Sequence, residues 1–197
     1  GIASAQPSNF NEVTVELTAA LNEDQQKDAQ FEVSMGSIKE KVTEVEFSNG
    51  GKTAVVTLDR DFREGTYTVT LSGIENLDED AASAEFKATE ERVVEIQFTT
   101  PSDTLPQAES VEITFEALNQ YGQPANVSAS DFLIYVSDKD VEDTVVANYD
   151  EQSFTLSTYI EDDDERNRLQ RGQGVYIRLL HERSGVAADK TFTIGDR

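Results

Sequence analysis

The sequence predicts an all-β chain folded as two tandem antiparallel β-sandwich domains, on three observations. Short segments of period-two alternation recur along the whole length and no segment has a convincing helical period. The strongest of them, Gly65-Thr-Tyr-Thr-Val-Thr-Leu-Ser-Gly73, sets Tyr67, Val69 and Leu71 against Thr66, Thr68 and Thr70, with a glycine at each end. The segments also repeat: Val13-Thr-Val15-Glu-Leu17 matches Val111-Glu-Ile113-Thr-Phe115, Leu21-Asn22 matches Leu118-Asn119, and Phe31-Glu-Val33 matches Phe132-Leu-Ile134. Val56-Thr-Leu58 likewise matches Phe154-Thr-Leu156, and all these pairs lie roughly 97 to 101 residues apart, a spacing of whole small domains rather than of solenoid repeats.

Taken in order, residues 2–5 form a short edge strand ended by Pro7, since proline cannot donate to a ladder. Residues 12–18 alternate cleanly, with Val13, Val15 and Leu17 inward. Residues 22–30 are a polar connection or a single helical turn, having too little apolar periodicity for more. Strands follow at 31–35, 42–47 and 53–58, the last two joined by Asn49-Gly50-Gly51, a hairpin signal because Asn and Gly accept positive φ. After the Tyr67 strand comes an acidic loop, residues 75–80, and a closing strand at 84–88. This gives a first domain at residues 1–90 and a second at 91–197, joined by the stiff, glycine-free passage Thr89-Glu-Glu-Arg92.

The second domain opens with residues 93–99, with Val94, Ile96 and Phe98 on one face, and continues through a loop at 101–106. Residues 110–118 alternate again and end in the turn Asn119-Gln-Tyr-Gly-Gln-Pro124. Strands at 132–136, 144–148, 153–159, 174–181 and 190–194 complete it. Tyr67 and Tyr176 are matched at an offset of about 109, so this copy carries about ten extra residues, an exposed acidic insertion around residues 159–173.

Composition narrows the function. The chain has 197 residues, 39 acidic and 16 basic side chains and a formal net charge of −23. Such a surface repels nucleic acid and anionic lipid, and no apolar run is long enough for membrane insertion through a helix. With no cysteine, disulfides and thiolate metal sites are excluded. The sole histidine, His181, is expected as an exposed polar residue at a strand end. No Gly-x-Ser-x-Gly elbow, phosphate-cradling glycine loop or His cluster is present, so the sequence offers no catalytic residues and the chain is predicted not to be an enzyme. Residues 1–7 lack the charged and apolar regions of a signal peptide, and the abrupt start suggests a piece of a longer chain.

Calcium is the one ion to weigh, because hard cations need several converging oxygens. The candidate ligands are Asp78 and Asp80 in the first domain and Asp162, Asp163 and Asp164 in the second; the segment Asp138-Lys-Asp140 with Glu142 and Asp143 is a further acidic loop. None has the Asp-x-Asp-x-Asp-Gly spacing of an EF-hand loop. Arg166, Arg168 and Arg171 follow the last run and offer the other reading, a salt-bridged, solvated loop.

Three stretches carry a family resemblance. They are Ser8-Asn-Phe-Asn-Glu-Val13-Thr-Val15-Glu-Leu17 with Leu21-Asn22, Asn49-Gly-Gly-Lys52-Thr, and Gly65-Thr-Tyr67 through Gly73-Ile74. With Ala117-Leu-Asn-Gln-Tyr-Gly-Gln-Pro124 in the second copy, they resemble the bacterial immunoglobulin-like tandem domains of Gram-positive, bacillus-type surface-layer (S-layer) proteins. The resemblance covers nearly the whole chain. It implies two immunoglobulin-like β-sandwiches and a non-catalytic structural role in lattice self-assembly and domain spacing. It also implies an extracellular location in the cell wall or S-layer, partners that are identical subunits and flanking domains of the same chain, and calcium as an assembly aid with no other cofactor. One departure is the acidic loop at residues 75–80, where the family carries Gly-Asn. The alternative is an adhesin or carbohydrate-binding module of an exported protein, which should present exposed aromatics on loops at one end, with Tyr121, Tyr149 and Tyr159 as candidates.

Overall fold

In β2 (Glu12–Leu17) Val13, Val15 and Leu17 are buried while the residues between them are half-exposed, and the same ladder recurs in β6 (Thr53–Leu58) and β7 (Gly65–Ser72). The structure is a computed structural model that describes residues 1–159 and 169–195. Its contacts fall into two units, Gly1–Glu91 and Arg92–Arg197, and each encloses its own apolar core.

Unit 1 also contains β1 (Ile2–Asn9), β3 (Gln30–Met35), β4 (Ile38–Glu40), β5 (Val42–Ser48) and β8 (Ser83–Ala88). Its two sheets have the orders β1-β2-β6-β5 and β4-β3-β7-β8. Lettered as in an immunoglobulin domain these are A-B-E-D and C′-C-F-G, the two faces of that sandwich. Strand β1 runs on through Pro7, which pairs with Val13, rather than stopping before it. As an edge strand β1 has an outer side with no ladder partner, so the missing N–H costs nothing there. The polar stretch after Leu21 is a helix, α1 (Glu23–Asp28), closed by a reciprocal cap between Asn22 and Gln25. Gly51 takes φ +92° in the turn between β5 and β6, and a Cβ there would lie 2.1 Å from the Leu21 carbonyl oxygen, so this position accepts only glycine.

Unit 2 contains β9 (Val93–Phe98), β10 (Thr104–Leu105), β11 (Val111–Asn119), β12 (Phe132–Val136), α2 (Lys139–Glu142), β13 (Val146–Ala147), β14 (Ser153–Leu156), β15 (Gly174–His181) and β16 (Ala187–Ile194). The sheet orders are β13-β14-β11-β9 and β10-β16-β15-β12, or D-E-B-A and A′-G-F-C. All pairings are antiparallel except β10 with β16, and that two-residue strand lies where a plain loop was expected. Of the strand expected at 144–148 only β13 forms, after α2 takes the preceding residues. Val94 is exposed although Ile96 is buried. Leu118 pairs with Glu95 and Asn119 with Val93, so Val94 is the extra residue of a β-bulge and the in–out phase flips at that point.

The inward residues of β7 and β15 show where the two copies diverge. Tyr67 is buried at the start of β7, and its hydroxyl oxygen accepts a 2.9 Å hydrogen bond from the Arg63 amide. This is the tyrosine corner of immunoglobulin-like folds, which ties the connection before strand F back onto that strand. Phe62 and Phe86 pack on the ring with centroids 5.2 and 5.5 Å away. In β15 the buried residues are Val175, Ile177, Leu179 and His181, while Tyr176 points outward. Tyr67 and Tyr176 are therefore not equivalent; Val175 holds the inward position, and the second unit has no tyrosine corner. Tyr67→Phe should cost unit 1 about 1 kcal/mol, read as a lower denaturant midpoint for the first unit's transition, with the second unit's transition unmoved.

Candidate functional site

The outer face of β12, β15 and β16 is the surface that the fold alone does not explain. Because strand side chains alternate, the residues that leave Val175, Ile177 and Leu179 in the core put Tyr176, Arg178 and Leu180 on the other side. Register sets Leu180 beside Leu133 and Arg178 beside Tyr135 across β12. On the other flank it sets Arg178 beside Asp189 and Leu180 beside Ala187 across β16. Leu133 is 54% and Tyr135 51% exposed. The Tyr135 and Tyr176 rings meet edge to face at 6.1 Å, and the Tyr176 hydroxyl donates to Asp189 Oδ2 at 3.1 Å. Leu133, Tyr135, Tyr176, Arg178 and Leu180 together line an open groove of about 330 Å³.

In unit 1 the matching face is polar. There β3, β7 and β8 turn outward Gln30, Glu32 and Ser34, then Thr66, Thr68 and Thr70, then Ser83, Glu85 and Lys87. Thr70 and Ser83 share a hydrogen bond at 3.0 Å. Cross-strand pairs of this polar kind hold a solvated sheet together, so nothing in the sandwich requires leucine and tyrosine at the matching positions of unit 2. Sequence reasoning passed over this surface because it sought exposed aromatics on loops.

The loop tyrosines sit on three different connections. Tyr149 is exposed between β13 and β14, Tyr121 is half-buried in the turn after β11, and Tyr159 is half-buried beyond β14. The Asn119 side chain, fully buried, organises the Tyr121 turn by accepting from the Tyr121 and Gln123 amides at 2.9 and 3.1 Å.

The acidic candidates that can be placed have capping roles. Asp78 caps a single turn of 3₁₀ helix by accepting from the Asp80 amide at 3.1 Å, and Asp80 is exposed beside it. Asp138 caps α2 through the Val141 amide at 3.1 Å. Glu142 accepts from the Val136 amide at 3.0 Å, and Lys139 bridges to Asp143 at 3.1 Å. Asp162, Asp163 and Asp164 lie outside the described residues. Among the described residues no group of three or more His, Asp or Glu side chains is arranged to hold a metal ion.

His181 is buried, 6% exposed, rather than an exposed strand end. It continues the inward series of Val175, Ile177 and Leu179, packs on Phe132 with centroids 5.1 Å apart, and shares a 2.7 Å hydrogen bond between Nδ1 and Ser184 Oγ. Burial pushes the imidazole below its ordinary pKa; Arg183 adds to this and the Asp131 carboxylate opposes it. The folded state thus favours the neutral ring. Its contribution to stability is full above the unfolded value of about 6.5 and is lost as pH falls from there through the lower folded value. Melting of unit 2 should therefore fall between about pH 7.5 and pH 5.5 in the wild type, and His181→Phe should remove that component of the pH dependence.

The insertion leaves from a fixed stem. Thr158 is fully buried; its hydroxyl donates to the Pro106 carbonyl at 2.6 Å and accepts from the Ala108 amide at 2.9 Å. The Leu169 amide donates to the Thr158 carbonyl at 3.1 Å, and Gln107 Nε2 donates to the Leu169 carbonyl at 2.7 Å. Leu169 itself is 2% exposed within the core. Residues 160–168 of the expected excursion lie outside the described residues, but its C-terminal part is not exposed throughout, because Leu169 is buried in the core of unit 2. Removing residues 161–166 should leave unit 2 folded, since loop length changes closure entropy only slowly. Leu169→Ala should cost about 2–5 kcal/mol, and denaturant unfolding of the two variants checks both.

No protein-family model matches the chain, and no curated protein matches it in sequence. Solved structures resemble it in fold. The N-terminal part of the bacterial S-layer protein SbsC is similar at 18% identity and a TM-score of 0.45, over 99% of this chain and 44% of that one. Domains 1–6 of the surface layer protein SbsC are similar at 17% identity and a TM-score of 0.43, over 99% of this chain. The ectodomain of mouse nectin-like molecule 4, Ig1 to Ig3, is similar at 10% identity and a TM-score of 0.37, over 100% of this chain and 63% of that one. This chain spans 25% of the length of the six-domain SbsC structure. The immunoglobulin-like arrangement rests on the strand orders of the two units, not on these likenesses.

Proposed function

We propose that the chain is a non-catalytic structural segment of a bacterial surface-layer protein, acting in lattice self-assembly and domain spacing at the cell surface. The observation that carries this reading is how the motif residues behind the family resemblance are used. Gly51 makes a turn, Tyr67 ties a connection to its strand, and Asn119 folds the Tyr121 turn. Each serves to hold a sandwich closed, and none is left facing a cleft. The partners are other copies of the subunit and the flanking domains of its own chain, outside the cell. A ligand-binding role, as an adhesin or carbohydrate module, is the competing reading, and the exposed Tyr149 is the observation in its favour.

The net charge of −23 sets the conditions for association. Like-charged copies repel across a solvated surface at low ionic strength. Monovalent salt only screens this repulsion, whereas a divalent cation also bridges carboxylates of neighbouring copies. Calcium at about millimolar concentration, the range of weak extracellular sites, should raise the sedimentation coefficient more than sodium chloride of equal ionic strength. Replacing Asp78, Asp80 and Asp162 to Asp164 by asparagine should reduce that difference. Superimposable curves in the two salts would reduce the acidic surface to a solvating role.

A further inference from the structure

We propose that the outer face of β12, β15 and β16 is a self-association surface whose occupant is the same face of a second copy of this chain. The proposal rests on the self-assembly reading above and names the contact it would use. The first argument is the internal control: one chain folds the same sheet twice, and only unit 2 exposes leucine and tyrosine there. The second is charge complementarity. In a chain of net charge −23, most of the surface repels another copy. The outward positions of these three strands carry one cation, Arg178, and one anion, Asp189, and are otherwise neutral. This face is therefore electrically balanced, and a partner of strongly acidic or strongly basic character gains little from it.

The balance is also self-complementary. Arg178 and Asp189 are register partners, as are Leu180 and Ala187. A two-fold axis running along the sheet between β15 and β16 sets each Arg178 against the Asp189 of the other copy. It also sets each Leu180 against the other copy's Ala187, the reciprocal pairing that an isologous contact requires. Tyr135 and Leu133 then flank the contact and exclude water from the ion pairs, which strengthens them. The Tyr176 hydroxyl already holds Asp189 in place at 3.1 Å.

Sedimentation equilibrium of the full chain across a wide concentration range, in buffer with calcium, tests the proposal. One variant gives unit 2 the polar face of unit 1, Leu133→Ser with Tyr135→Thr and Leu180→Thr. A second set reverses charge: Arg178→Asp, Asp189→Arg, and the two together. All these side chains point away from the core, and a melt confirms that each variant folds. The polar-face variant and each single reversal should weaken self-association by about tenfold or more, and the double reversal should regain most of it. If the wild type associates and the polar-face variant associates equally, the face is wrong while self-assembly stands. If single reversals weaken association and the double reversal does not restore it, the reciprocal pairing is wrong. A wild type that stays monomeric at every concentration overturns the self-assembly reading along with this contact, and leaves the face to a ligand of other chemistry.

Discussion

Each unit depends on the inward row of its F strand, because that strand lies at the centre of one sheet and its buried residues touch the facing sheet. In unit 1 the row is Tyr67, Val69 and Leu71, and in unit 2 it is Val175, Ile177, Leu179 and His181. A shift of one residue along either strand would send the whole row into solvent. Register is therefore the constraint that the remaining strands obey. The C and G strands pair with F directly, and the opposing sheet presents Val13, Val15 and Leu17, or Val111, Ile113 and Phe115, to the same space.

The connection entering the F strand must be held if that register is to be unique, and the two units hold it by different chemistry. Unit 1 uses one aromatic hydroxyl on a backbone amide, with the Tyr67 ring packed in a three-ring cluster with Phe62 and Phe86. Unit 2 has more chain to accommodate at this point and uses a buried threonine hydroxyl with a buried leucine, Thr158 and Leu169, both tied to the segment from Pro106 to Ala108. The tyrosine solution suits a short connection because its hydroxyl reaches back only four residues. A longer connection needs its two ends joined to each other, which the Leu169 to Thr158 hydrogen bond does.

Most strands were legible because one face of each is wet, so alternation betrays the buried side; β2, β6 and β7 are the clear cases. Where both faces are apolar the signal is lost. In β15 the residues between Val175 and Leu179 include Tyr176, and matching it with Tyr67 paired an outward residue with an inward one. His181 was readable in principle, since it falls two positions after Leu179, but the lone polar side chain outweighed the period. Val94 was misplaced because a bulge breaks the period inside a strand and leaves no compositional mark. Strands β4 and β10 were missed because three and two residues are too few for a period to show. The caps that Asp78 and Asp138 place on short helical turns left no mark in the sequence, because that role needs only one carboxylate and one amide.

The comparison of the two units also separates what the fold demands from what it merely allows. A sandwich must fill its inside and pair its strands; it sets no requirement on the outside of the sheet beyond solubility. Threonine, serine and charge meet that requirement in unit 1. Unit 2 departs from it on the outer face of β12 and β15, with Leu133, Tyr135 and Leu180 together, in a chain of net charge −23. Exposed apolar patches are costly to keep on a monomer because they invite indiscriminate association. If this face meets its own copy as proposed, the acidity of the remaining surface answers that risk, since it disfavours approaches that bring other surfaces together. Repulsion over most of the molecule with attraction over one face would make such a contact specific without making it strong.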